Sequence, residues 1–255
     1  MKIIFFTNKH PGGIEILKAM KTAKIPIFAI VIEKYVDRSS KLDFKKIMGL
    51  SFRKLFFILL QKLKQLFIPK NHEPWERDEY YRIFSSSIII VDNFNSTKCE
   101  NIIKELAPDI IILGGTRIIR ENIIKIPKIG ILNVHPGLLP KYRGVDVIPW
   151  SILNGDEIGV TVHFVDKGVD TGRICAQTKL PLIKNDSIKT IRKRAPILQA
   201  EIMVQVLQKL IKDGKIQTYP NPKEEGTQFY EMDYKTLHRA EQRLKERLKN
   251  EGLHA

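Results

Sequence analysis

The residues best suited to chemistry in this chain follow one short apolar run. Asn133 and His135 end the run ILNVH at residues 131–135. Side chains alternate between two faces along an extended strand, so Asn133 and His135 point to the same side. There an amide that donates hydrogen bonds and a titratable imidazole can converge on one carbonyl group. The pattern therefore predicts a site for a carbonyl substrate at the end of this strand.

A carboxylate that could assist the imidazole lies later in the chain. Asp170 belongs to the loop GVDTG at residues 168–172. A carboxylate beside an imidazole orients it and raises its basicity, so Asp170 is the third candidate. His135 and Asp170 also have structural interpretations. A strand histidine is often a hydrogen-bonded core residue, and DTG alone indicates a turn. We expect His163, in the run TVHFV, to be structural and to support the Asp170 loop.

The elements that must position these residues alternate along the chain. Short apolar runs rich in β-branched residues alternate with helical periodicity, which is typical of an α/β fold with a mostly parallel sheet and helices on both faces. Ligands bind to such sheets beyond the carboxyl ends of the strands. We predict strands at residues 2–7, 25–33, 87–91, 109–114, 129–135, 159–166 and 173–180. We predict helices at residues 13–22, 97–106, 187–212 and 233–250.

Composition excludes several classes of protein. The chain has 255 residues, of which 43% are hydrophobic, which excludes a disordered chain. Two cysteines cannot form a disulfide scaffold. The N-terminal apolar run at residues 3–6 is too short for a signal peptide, so we expect a cytoplasmic protein. We expect a main domain at residues 1–212 and a C-terminal extension at residues 213–255.

Much of the net charge of +15 falls on an insertion predicted at about residues 38–80. Between residues 38 and 70, nine basic side chains accompany one acid, Asp43. Apolar residues at helical spacing predict a basic amphipathic helix over residues 44–67. One interpretation is that this helix docks on an anionic membrane surface and makes the protein membrane-associated. The other is that it covers the sheet or the partner in a homodimer.

Two long motifs resemble the folate-dependent formyltransferase family. NVHPGLLPKYRG at residues 133–144 is followed by GVTVHFVDKGVDTG at residues 159–172. LGGTRII at residues 113–119 resembles the folate-binding loop of that family. The family includes glycinamide ribonucleotide, methionyl-tRNA and sugar-nucleotide N-formyltransferases. The resemblance covers about residues 105–180 and implies a Rossmann-like α/β domain, to which the C-terminal extension is added.

The resemblance implies transfer of a formyl group from 10-formyltetrahydrofolate to a primary amine, with no metal. Asn133 and His135 would stabilise the oxyanion, and Asp170 would hold His135 and help to move the proton. The resemblance assigns five residues to the folate: Arg117, Ile118, Ile119, Val169 and Asp170.

Four further residues are candidates for substrate binding. Gly12 and Gly13 follow the first strand and precede a helix, where backbone amides can hold a phosphate. Gly137 stands where many family members have serine. Arg143 is either a substrate contact or a solvated turn arginine.

The acceptor is expected to be a small molecule. A nucleotide-linked amino sugar ranks first and another small amine, such as glycinamide ribonucleotide, second. Glycinamide ribonucleotide itself is not favoured, because the N-terminal loop departs from the phosphate loop of the ribonucleotide enzyme. Methionyl-tRNA ranks third, because about fifty residues after residue 205 are too few for the tRNA-binding barrel of that enzyme, so a nucleic-acid partner is not expected. An alternative is a hydrolase that passes the formyl group to water, which requires a site that does not exclude water.

Overall fold

A computed structural model of the chain describes residues 1–34 and 74–253. Most of the predicted insertion, including the basic amphipathic helix at residues 44–67, lies outside the described residues. Membrane docking and coverage of a dimer partner through that helix therefore stay predictions. Among the described helices, none is long and apolar enough to cross a membrane.

The described strands and helices alternate along most of the chain. The strands are β1 (Ile3–Thr7), β2 (Ala29–Glu33), β3 (Ile88–Val91), β4 (Ile110–Leu113), β5 (Gly130–His135), β6 (Tyr142–Gly144), β7 (Gly159–Phe164), β8 (Ile174–Lys179) and β9 (Thr227–Phe229). The α-helices are α1 (Pro11–Thr22), α2 (Thr97–Leu106), α3 (Glu121–Ile124), α4 (Val147–Leu153), α5 (Ile188–Asp213) and α6 (Tyr234–Asn250). Short 3-10 helices span Pro74–Glu76, Asp78–Ile83 and Lys223–Glu225.

Seven of the described strands form the central sheet, in the order β3-β2-β1-β4-β5-β7-β8. The first five in that order are parallel, whereas β7 runs antiparallel to both β5 and β8. The strand order reverses between β1 and β4, which is where α/β sheets bind their ligands. The predicted fold class, a mostly parallel Rossmann-like sheet with helices, is confirmed.

The apolar residues of the sheet alternate between two cores. On β1, Ile3 and Phe5 face the core shared with α1 and α5, while Ile4 and Phe6 face the core shared with α2 and α3. Helices α4, α5 and α6 enclose a third cluster, to which α6 contributes Leu244 among others. The C-terminal helix is therefore packed onto the α/β domain.

The second strand begins later than the sequence predicts. Its apolar run starts at Ile25, but β2 begins at Ala29. The N–H of Ile25 instead donates to the carbonyl of Met20 and closes the turn after α1. Pro26 follows and has no N–H to give to a ladder. The other predicted strands differ from the observed ones by no more than two residues at either end.

Candidate active site

A cavity of about 640 Å³ opens at the carboxyl ends of β1, β4 and β5. This volume lies within the range of roughly 300–1,000 Å³ that is usual for small-molecule sites. Its walls come from segments distant in sequence, at residues 8–16, 113–119, 133–136, 144–146 and 163–170, with residues 199, 228 and 230.

The cavity brings together the three predicted catalytic residues. Asn133 and His135 both line it, as the alternation along β5 predicts, and Asp170 lines it as well. Nδ1 of His135 is 3.4 Å from Oδ2 of Asp170. The same Oδ2 accepts a hydrogen bond of 2.9 Å from the N–H of Gly144.

The tautomer of His135 follows from its other ring nitrogen. Nε2 lies 2.8 Å from the carbonyl oxygen of Tyr142. A carbonyl only accepts, so Nε2 carries the hydrogen and Nδ1 of the neutral ring presents its lone pair toward Asp170. A proton that arrives at Nδ1 is therefore stabilised at once by the carboxylate. His135 is only 3% exposed, which strengthens this interaction.

A second histidine joins Asn133 to Asp170. Nδ1 of His163 donates to the carbonyl of Phe164 at 2.7 Å. Nε2 of His163 lies 3.2 Å from the amide nitrogen of Asn133 and 3.5 Å from Oδ1 of Asp170. Both oxygens of the carboxylate thus face an imidazole. The structure places His163 beside Asp170, in the supporting position expected from the sequence.

Burial and neighbouring groups shift the pKa values of His135 and Asp170. Burial lowers the pKa of His135, and the negative charge of Asp170 offsets only part of that shift. Burial on its own would raise the pKa of Asp170, but hydrogen bonding to His163, the positive charge that His135 carries when it is protonated and the amide of Gly144 together lower it to about 2. At neutral pH the site therefore holds an ionised carboxylate beside a neutral imidazole.

The loop that carries Asp170 has a constrained backbone. Asp170 has a φ of 52°, in the left-handed region, which Asp tolerates better than most residues. Oδ1 of Asp166 accepts from the N–H of Gly168 at 3.0 Å and from the hydroxyl of Thr171. At Gly172 a Cβ atom would lie 1.8 Å from the carbonyl oxygen of Phe164, so only glycine fits there.

The predicted folate loop also lines the cavity, with Arg117, Ile118 and Ile119. The guanidinium of Arg117 pairs with the buried carboxylate of Glu33 at the end of β2. Ile119 is buried, whereas Ile118 is 71% exposed at the rim.

Asn95 fixes the backbone of this loop. Its Nδ2 donates to the carbonyl of Ile118 at 2.9 Å, and its Oδ1 accepts from the N–H of Arg120 at 2.7 Å. Sequence reasoning missed this role. The sequence NST at residues 95–97 suggests only a glycosylation sequon or a helix cap, and Ser96 indeed caps α2.

Gly12 and Gly13 line the cavity at the N-terminus of α1. A Cβ atom on Gly13 would lie 2.2 Å from the carbonyl oxygen of Gly114, so the loop after β1 packs tightly on the end of β4. The N–H of Gly12 donates to Nδ1 of His10, which caps the helix. The N–H of Gly13 donates to the carbonyl of His10 at 2.9 Å. Both amides expected to meet a phosphate therefore have an intramolecular partner.

The structure does not bring Arg143 to the cavity. Its side chain is 5% exposed and donates to Oδ1 of Asn221 and to the carbonyls of Pro222 and Lys223. Both interpretations drawn from the sequence, a substrate contact and a solvated turn arginine, are corrected by this position. The reason is a long-range contact with a segment about eighty residues later.

Gly137 lies beneath His135, outside the residues that line the cavity. A Cβ atom there would be 2.8 Å from Nε2 of His135 and 3.0 Å from the carbonyl oxygen of Tyr142. Glycine therefore makes room for the imidazole and its hydrogen bond, which is a packing role.

Two cavity residues come from the C-terminal extension and have no signal in the sequence. Strand β9 pairs with β6 in parallel. Phe229 points away from the cavity and packs between Tyr142 and Trp150, with ring centroids 5.2 and 5.1 Å away. Alternation then turns Gln228 and Tyr230 toward the cavity, where Tyr230 is 65% exposed.

Comparison with known proteins identifies the family. Residues 83–207, which include β5, β7 and the Asp170 loop, match the family model described as formyl transferase. Residues 83–207 therefore form a formyl transferase domain. The family resemblance carried by the two motifs is thereby confirmed.

One curated relative of this formyl transferase domain is the methionyl-tRNA formyltransferase of Caldanaerobacter subterraneus subsp. tengcongensis. It is 38% identical over 127 residues, which are 49% of this chain and 41% of the relative. The matched chain thus spans less than half the length of that relative.

Solved structures share the fold of most of this chain. The phosphoribosylglycinamide formyltransferase of Bacillus halodurans superposes with a TM-score of 0.59 at 19% identity, over 84% of this chain and 97% of that one. A sugar N-formyltransferase from Shewanella sp FDAARGOS_354 gives a TM-score of 0.60 at 15% identity, over 95% of this chain and 87% of that one. Proteins with different acceptors therefore share this fold.

Proposed function

We propose that this protein transfers a formyl group from 10-formyltetrahydrofolate to a primary amine of a small acceptor. The observation that carries the proposal is the convergence of Asn133, His135 and Asp170 on one cavity that the loop at residues 117–119 also lines. The formyl donor would lie along that loop, with Val169 and Asp170 closing the pocket.

The chain's own residues account for each proton and charge. The amine nitrogen attacks the formyl carbon, a C–N bond forms and negative charge develops on the formyl oxygen. The amide of Asn133 has two N–H groups, so one can meet His163 while the other donates to this oxyanion. We assign the oxyanion to Asn133 rather than His135, because Nε2–H of His135 is bound to the carbonyl of Tyr142.

His135 serves as the base in this scheme. The attacking amine becomes cationic and must lose a proton before the intermediate collapses. The neutral His135 accepts it at Nδ1, directly or through a water molecule, and Asp170 stabilises the resulting imidazolium. Collapse breaks the bond between the formyl carbon and N10 of the folate, and protonated His135 returns its proton to that nitrogen, directly or through a water molecule. The products are a formamide and tetrahydrofolate.

A nucleotide-linked amino sugar is the acceptor we propose first. Gly12 and Gly13 line the cavity at the N-terminus of α1, where the helix dipole favours the negative charge of a phosphate. Tyr230 offers an exposed aromatic face and Gln228 an amide, which suit a nucleobase. These groups share one cavity with the catalytic residues, which supports an acceptor that carries both a phosphate and a base.

Methionyl-tRNA is the second candidate. The 38% identity to a methionyl-tRNA formyltransferase over 127 residues favours it, as does the net charge of +15. A positively charged surface attracts a polyanion, although charge alone does not select a nucleic acid.

Transfer assays with a panel of acceptors test the proposal. Tetrahydrofolate formation would be followed with UDP- and dTDP-linked amino sugars, glycinamide ribonucleotide, methionyl-tRNA and buffer alone. Amine-dependent turnover with a sugar nucleotide is the expected result. Equal turnover in buffer, with formate as product, would instead favour the hydrolase. Silence on every acceptor while calorimetry shows no donor binding would overturn the proposal.

A further inference from the structure

The segment after α5 runs back to the loop that carries Asp170. Ile174 and Tyr219 exchange backbone hydrogen bonds of 3.0 and 2.8 Å, so the segment lies antiparallel beside the start of β8. Arg173 also contacts the segment, since its Nε donates to the hydroxyl of Thr218 at 2.7 Å. This course delivers Asn221 to the back of the GVDTG loop.

The side chain of Asn221 binds that loop. Its Nδ2 donates to the carbonyl of Asp170 at 3.0 Å and to the carbonyl of Gly172 at 2.8 Å. Its Oδ1 accepts from Nη2 of Arg143 at 3.2 Å. Asn221 is only 9% exposed, so little water competes for these bonds. Two carbonyls that bracket the turn are thereby held by one amide.

The bonds fall where the backbone needs external support. Asp170 has a φ of 52°, a conformation that non-glycine residues keep only when their surroundings fix it. The same conformation aims the carboxylate at His135 and His163. Arg143 in turn is held by the carbonyls of Pro222 and Lys223, so it fixes the orientation of the Asn221 amide.

We infer that Asn221 is a positioning residue that holds the Asp170 carboxylate against the two imidazoles, with Arg143 holding Asn221. The inference rests on the proposed role of Asp170 in formyl transfer. It gives the C-terminal extension a part in catalysis, and it gives Arg143 a function other than substrate binding.

The substitution Asn221→Asp separates the donor role from packing. Aspartate keeps an oxygen for Arg143 and nearly the same shape, but it loses both N–H donors. Asn221→Ala is the second variant and leaves the two carbonyls to water. Arg173→Ala is the matched control, because it loosens the same segment at Thr218 and removes no bond to Asp170.

Two readouts keep this inference separate from the proposed function. The first is kinetic: Asn221→Asp and Asn221→Ala should lower kcat by about tenfold with little change in the KM for the folate, because small misplacements of a catalytic group are costly. Arg173→Ala should stay within about twofold of wild type, since no bond to the loop is lost.

The second readout needs no turnover. In protein carrying ¹⁵N-labelled histidine, the ring resonances of His135 and His163, assigned with His→Gln variants, should shift in both Asn221 variants toward their positions in Asp170→Asn. Unshifted resonances in whichever Asn221 variant folds would overturn the inference, even if wild type transfers no formyl group. Shifts of the same size in Arg173→Ala would also overturn it, because loosening of the segment after α5 would then be their cause.

Discussion

Nδ1 of His135 and Oδ2 of Asp170 face each other at 3.4 Å at the carboxyl end of β5, while Nε2 of the same ring is bound to the carbonyl of Tyr142. The ring is therefore held from both sides, and its one free lone pair points to a carboxylate. This arrangement favours a proton acceptor at neutral pH, and the first predictions concern it.

Replacing the carboxylate should abolish most of the activity. Asp170→Asn keeps the shape but removes the charge that stabilises protonated His135, so kcat should fall by about 100-fold or more. Steady-state kinetics would measure this, with circular dichroism to verify folding. Asp213→Asn, an exposed position at the end of α5, is the control and should match wild type. An Asp170→Asn enzyme with near wild-type kcat would exclude the proposed mechanism.

The pH dependence should reveal the buried imidazole. Burial lowers the pKa of His135, so the acid limb of kcat/KM should lie below the ordinary histidine pKa of about 6.5. The negative charge of Asp170 raises the pKa of His135, so the limb should move to still lower pH in Asp170→Asn. Profiles of kcat/KM against pH for both proteins would show the shift. A limb at or above the ordinary value in wild type would contradict a buried neutral base.

The folate loop should loosen when Asn95 is removed. Asn95→Ala loses the hydrogen bonds to the carbonyl of Ile118 and the N–H of Arg120, each worth ~1 kcal/mol. The KM for the formyl-folate donor should rise by roughly tenfold while the KM for the amine stays nearly constant. Asn250→Ala, on the exposed end of α6, is the comparison protein. An unchanged KM for the folate would remove this loop from the donor site.

Tyr230 should select the acceptor. Tyr230→Ala removes the aromatic face, so the KM for a sugar nucleotide should rise by about tenfold, given the ~1–3 kcal/mol of base stacking, and the KM for the folate should not change. Tyr230→Phe should retain wild-type values, because the ring provides the stacking surface. Tyr234→Ala, a highly exposed tyrosine on α6 outside the cavity, controls for loss of a surface aromatic. The opposite pattern, a raised KM for the folate alone, would place Tyr230 on the donor side.

Local periodicity explains what the sequence predicts well. The alternation along β5 places Asn133 and His135 in one cavity, and the apolar runs give seven strands of the sheet. Such patterns arise within a few neighbouring residues, where strand geometry alone decides which side chains share a face. The two family motifs add Asp170, which the loop sequence alone presents as an ordinary turn.

Long-range pairing explains what sequence reasoning misses. Strands β6 and β9 are three residues each and pair across some eighty residues, so neither shows a period. The partners of Arg143 and the loop contacts of Asn221 depend on that pairing. Because no local sequence pattern shows the pairing, the interpretation of Arg143 was wrong. Polar residues whose partners lie far away in sequence carry no local signal of the bond they make.

Isotope transfer tests the central claim most directly. The donor would be 10-formyltetrahydrofolate labelled with ¹³C in the formyl group, incubated with wild-type protein and an amino-sugar nucleotide, and the products analysed by NMR and mass spectrometry. We predict that the label appears as an N-formyl carbon on the acceptor, at a rate that falls to background in His135→Gln. Label recovered as formate at the same rate with and without acceptor would contradict the account and identify water as the acceptor.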